Sequence, residues 1–175
     1  MNKVDGFNEW SPLNWAMKQP GQKRYELARY LIEQGADIYY YTDWAVPIFD
    51  SVVIHSDDSQ KTIDQGYDLF CYLIEKNVTI ECKYYPRTLI CHAANFNNIA
   101  VIQYLIENGY SDVDELTTRK ETALIVAARW GNKEACQMLL NYGADITKED
   151  EEGKTAYDYA VEEGYSDIVQ LLNEK

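Results

Sequence analysis

Along residues 122–145, TALIVAARWGNKEACQMLLNYGAD, apolar side chains return at helical spacing. An unbroken run from Ala123 to Ala128 gives way to a polar break at Gly131 and Asn132, and Ala135, Met138, Leu139 and Leu140 then follow before Gly143. The spacing predicts two short helices, a tight turn between them and a glycine stop. The pattern recurs 33 positions on, where TAYDYAVEEG from Thr155 precedes Ile168, Val169, Leu171 and Leu172. Upstream, TLICHAANFN from Thr88 leads into VIQYLIENG ending at Gly109, and SPLNWAMKQP from Ser11 leads into ARYLIEQGADI ending at Ile38. A further unit opens at VPIFDSV, from Val46, and closes at DLFCYLIEKN, ending at Asn77.

That unit is about ten residues longer between its opening and its close than the units starting at Thr88 and Thr122. The excess falls on residues 55–66, HSDDSQKTIDQG, where polar and acidic residues replace the apolar pattern. This predicts a loop bulging between two helices, with Thr62 capping the helix that follows and Gln65 returning the bond. Elsewhere each unit has a first helix rich in small residues (Ala93 and Ala94, Ala127 and Ala128, Ala160) and a second helix with a broader aliphatic face. Helices this short are marginal alone, so burial between neighbouring units must hold them in a quasi-one-dimensional stack. Gly35, Gly109 and Gly143, with Asn77 as a stand-in, are expected to end the second helices in the left-handed conformation. In the last unit Glu162, Glu163, Asp167, Gln170, Asn173 and Glu174 give a polar exterior suited to the end of a stack, and Phe7, Trp10 and Trp15 are placed to cover the first unit.

Ser11-Pro12-Leu13 with Trp15-Ala16 resembles the T-P-L-H-x-A opening of the ankyrin repeat, and GADI at Gly35 and Gly143 is similar to that family's helix-ending glycine and next turn. The position that holds histidine in the family holds Asn14, Phe49, Cys91, Ile125 and Asp158 here. The resemblance implies an all-α solenoid of about five helix-turn-helix units, a single domain over 1–175 with approximate repeats 9–43, 44–84, 85–118, 119–151 and 152–175.

Charge narrows the partner. Sixteen lysines and arginines face 29 acidic residues, a net charge of −13, which repels nucleic acid and anionic membrane surfaces and attracts a neutral or basic partner. No apolar run approaches the ~20 residues that span a bilayer, and the amino terminus lacks a signal-peptide core. Four cysteines form no CxxC pair and read as packed, reduced thiols, so a cytoplasmic location is expected.

Chemistry is sparse. Cys91 and His92 are adjacent, and neighbouring helical residues point about 100° apart, a poor geometry for a nucleophile and its base. Gly153-Lys154-Thr155 lacks the glycine that a phosphate loop needs five positions before the first of these, where Lys148 stands. A calcium loop over 148–159 fails because Lys148 and Tyr159 occupy positions that need carboxylates. No catalytic residue, cofactor or metal site is expected. One alternative is an enzyme or metal-binding protein built around the acidic insertion, with His55, Asp57, Asp58 and Asp64 as the available groups; another is a scaffold or effector fragment.

The resemblance implies a concave groove lined by hairpins and first-helix ends, where the family binds other proteins. Carried over, the two residues before each inter-helix turn are Lys18 and Gln19, Asn95 and Phe96, Arg129 and Trp130, and Glu162 and Glu163. The expected partner-binding set is Phe96, Arg129 and Trp130 with the hairpin residues Tyr39, Tyr40, Tyr41, Trp44, Tyr84, Tyr85 and Arg87. Aromatic residues and arginine match the composition of binding hot spots. The chain is expected to be a non-enzymatic protein-binding module, monomeric when free, with an inhibitor or immunity protein of a basic enzyme as one concrete form.

Overall fold

The computed structural model describes residues 12–19, 23–38, 60–76 and 88–174, and among these every regular element is a helix. The chain divides into two compact units, 1–81 and 82–175.

In the first unit, α1 (Pro12–Met17) packs on α2 (Lys23–Glu33), which also meets α3 (Gln60–Glu75). Leu13, Ala16, Met17, Tyr25, Ala28, Leu69, Phe70 and Leu73 are buried. The helix α3 corrects the expected loop. Residues 60–66 are helical, so Thr62 lies inside the helix rather than at its cap, while 55–59 lie outside the described residues. Polarity alone does not stop a helix: glutamine and lysine are good helix formers, and no proline interrupts this stretch. Gly66, the end of the expected loop, lies inside α3. A Cβ there would lie 2.9 Å from the Tyr25 hydroxyl, so the missing side chain lets α2 and α3 approach.

The second unit holds three helix pairs: α4 (Leu89–Asn95) with α5 (Ile99–Glu107), α6 (Ala123–Arg129) with α7 (Lys133–Asn141), and α8 (Ala156–Glu162) with α9 (Ser166–Asn173). First helices pack side by side, and each second helix packs on its own first helix and on the second helix of a neighbouring pair. Thr88, Thr122 and Thr155 each cap a first helix by accepting the backbone N–H three residues on, and Asp158 completes a capping box with Thr155. Each such cap contributes about 1 kcal/mol. Ala93, Ala94, Ala127, Ala128 and Ala160 are fully buried, as close helix packing requires. The expected stops at Gly35, Gly109 and Gly143 all have positive φ.

The 33-residue spacing extends to the loops. Thr117 Oγ1 accepts the N–H groups of Arg119 and Glu121, and Asp150 Oδ1 accepts those of Glu152 and Lys154. Lys120 and Gly153 hold the same left-handed position in the two hairpins. Between α4 and α5 the left-handed turn residue is Asn97, where the next two turns have Gly131 and Gly164. Asn97 compensates with its side chain, which accepts the N–H of Ala135 and donates to Glu134 on the neighbouring pair. Asn132 returns the link by donating to the carbonyls of Ala94 and Asn95.

Candidate functional site

Each first helix of the second unit ends on a residue of nearly the same backbone conformation: Phe96 (φ −104°, ψ 13°), Trp130 (φ −99°, ψ 6°) and Glu163 (φ −84°, ψ −7°). Their amides bond to the carbonyls of His92, Val126 and Tyr159, so one local geometry sets three side chains at equivalent places on successive pairs. Phe96 is half-buried, Glu163 is exposed, and Trp130 is 55% exposed. The indole therefore does not fold down over its own turn. The glycine after it is doubly constrained, because Gly131 has φ +72° and a Cβ there would meet the Tyr165 ring at 2.7 Å.

Arg129, grouped with Trp130 on sequence grounds, has different surroundings. Its guanidinium donates to Glu121 and to Asp150 Oδ2 (3.4 Å) and lies 4.1 Å from the centre of the Tyr159 ring. Glu121 and Asp150 are both nearly inaccessible. The Tyr159 hydroxyl donates to Asp150 at 2.6 Å, so four side chains tie the hairpin before α6 to the one before α8. Burial alone would raise the Asp150 pKa, yet the Tyr159 hydroxyl, the Lys154 and Glu152 amides and the Arg129 charge outweigh it and hold the carboxyl below its ordinary value. Tyr159 is raised, by burial first and then by its bond to Asp150. Sequence pattern alone hides this network, because its members are spread from 121 to 159 and only folding joins them.

Around the row the surface is acidic. Arg119 reaches Glu151 (2.7 Å) and Glu152 (3.9 Å), and Lys154 reaches Glu162 (2.8 Å) and Glu152 (3.7 Å). Glu163 is exposed and, among the described residues, has no ion-pair partner. The hairpin residues Tyr39, Tyr40, Tyr41, Trp44, Tyr84, Tyr85 and Arg87 lie outside the described residues.

The groups with chemical potential are packed away. Cys91 is fully buried and its thiol is pushed up to about 12 by desolvation; Cys136 is likewise raised to about 12. His92 is buried beside Cys91. Gly153-Lys154-Thr155 forms a hairpin end and a helix cap, with Lys154 held by carboxylates. Among the described residues no cluster of His, Cys, Asp and Glu has the makings of a metal site, and no helix is long and apolar enough to cross a membrane.

Residues 61–150 and 111–175 match the family model described as ankyrin repeats in three copies, and residues 8–43 match the single ankyrin repeat. The chain belongs to the ankyrin-repeat family. Within it, the chain is 31% identical to diacylglycerol kinase iota of Homo sapiens over 90 residues, 50% of its own length. It is 32% identical to Rabankyrin-5 of Mus musculus over 97 residues (49%), and 38% identical to the E3 ubiquitin-protein ligase hecd-1 of Caenorhabditis elegans over 81 residues (46%). It covers only 8%, 8% and 3% of those proteins, so the likeness is to their repeat segments. Ankyrin repeats generally mediate protein–protein interaction and are typically non-enzymatic.

Proposed function

We propose that this ankyrin-repeat chain acts by binding alone, holding a neutral or basic protein on the row of first-helix ends centred on Trp130. The observation that carries the reading is the exposed indole, set at the end of a first helix whose preceding residue, Arg129, is engaged by Glu121 and Asp150. Large exposed aromatics contribute most of the affinity in many interfaces, and an acidic surround raises the encounter rate with a basic protein. Phe96, at the equivalent turn of the preceding pair, extends the same row. One concrete form of the proposal is an inhibitor or immunity protein that covers the active site of a basic enzyme. A cytoplasmic setting fits the free thiols Cys71, Cys91 and Cys136.

The test places a photocrosslinking residue at position 130 and, as control, at Gln137 on the second-helix layer. The proposal expects one protein joined at 130 and not at 137, with direct binding of that protein lost in Trp130→Ala. Crosslinking confined to 137, or binding indifferent to Trp130→Ala, overturns it.

A further inference from the structure

The row is not uniform along the stack. It runs from Phe96 through Trp130 to Glu163, two aromatic positions followed by a carboxylate, at equivalent turns of three successive helix pairs. Packed helices stand about 10 Å apart, so neighbouring members of the row are separated by about that distance. Arg129, the cation nearest in sequence to the indole, is only partly exposed and is already engaged by Glu121 and Asp150. At the far end the exposed carboxylates outnumber the cations, and Lys154 is already bonded to Glu162. The row thus has a direction, apolar at one end and negative at the other.

We infer that the occupant is a segment of another protein carrying an apolar side chain and, about three residues away in extended form, an arginine or lysine. Its apolar group lies over Phe96 and Trp130, and its cation lies between the indole and Glu163. Three residues of extended chain span about 10 Å, which matches the separation of neighbouring turns. An exposed indole attracts a cation through its ring face, and the carboxylate beyond it fixes which end of the segment is basic. A second copy of this chain fits worse, since it brings a net charge of −13 to an acidic surface.

The inference rests on the docking reading above, and its test is separable from that one. The probe is the peptide acetyl-Leu-Gly-Ser-Arg-amide, compared with the same peptide bearing citrulline, the uncharged analogue of arginine. The isotope-labelled full chain is titrated with each and followed at the Trp130 indole N–H and the Glu163 amide. The arginine peptide is expected to bind about three- to fivefold more tightly than the citrulline peptide, in line with exposed cation–π and ion-pair contacts. Glu163→Gln should abolish that preference, and Trp130→Ala should abolish binding of both peptides. Equal affinity of the two peptides, an arginine preference that survives Glu163→Gln, or no binding by either peptide overturns the inference. So does self-association of the chain that depends on Trp130, measured by sedimentation of the same samples, because it would seat a second copy on the row. The peptide results leave the crosslinking test untouched, since it is indifferent to the charge of the captured segment, whereas self-association would count against both readings.

Discussion

Arg129 and Trp130 are adjacent in sequence and opposite in surroundings, so substitutions at the two positions separate binding from stability. Truncating Trp130 to Ala removes a side chain that is 55% exposed, and the melting temperature should move little. Affinity for the docked protein should fall by roughly 2 kcal/mol or more, as for a central aromatic anchor. Isothermal titration and thermal unfolding of this one variant check both halves. Arg129→Met leaves Glu121 and Asp150 facing each other without their shared cation in a nearly inaccessible place. The expected loss is about 2–3 kcal/mol of stability by denaturant unfolding, because removing one partner of a buried ion pair strands the other. The same network carries an acid dependence. The folded-state pKa of Asp150 lies below its ordinary value of about 3.9, so its contribution is complete above that value and is lost as pH falls through the lowered one. Melting temperatures taken from about pH 6 down to about pH 3 should decline in the native chain, and Asp150→Asn should flatten part of that decline.

At the scale of helices and turns, two glycines that share a positive φ are expected to respond differently. Gly153→Ala puts a Cβ in open space, so its cost is the left-handed backbone alone, about 1 kcal/mol. Gly131→Ala adds a Cβ 2.7 Å from the Tyr165 ring and should cost at least about 2 kcal/mol by denaturant unfolding. These turns also show what was legible beforehand. The caps at Thr88, Thr122 and Thr155 and the left-handed stops at Gly109 and Gly143 follow from local rules that act within a few residues, and the period exposes them. Asn97 was less legible, since its left-handed turn depends on partners 37 and 38 residues away. The start of α3 at Gln60 is hidden because a polar, acidic stretch reads as a loop, and the reason for Gly66 is a tyrosine on another helix. In the candidate site, the exposure of Trp130 followed from its place in the template, whereas the engagement of Arg129 with Glu121 and Asp150 required the fold.

For the molecule as a whole, the excess of 29 acidic over 16 basic residues acts before any contact forms. A field of that sign steers a basic partner toward the chain, and steering enters the association rate, while short-range contacts at the row set the dissociation rate. The two contributions respond to different perturbations. Raising ionic strength shortens the Debye length from about 30 Å at 0.01 M to about 3 Å at 1 M, which screens the long-range attraction and leaves a buried indole contact largely intact. Stopped-flow or surface binding measurements with the protein crosslinked at position 130 should therefore show an association rate that falls at least about tenfold across that range, with a dissociation rate that changes far less. Trp130→Ala should give the reverse: faster dissociation and an association rate close to that of the native chain, with the same salt slope. An association rate insensitive to salt would mean that the acidity serves solubility alone, and the partner would then be neutral and chosen by its fit to Phe96 and Trp130.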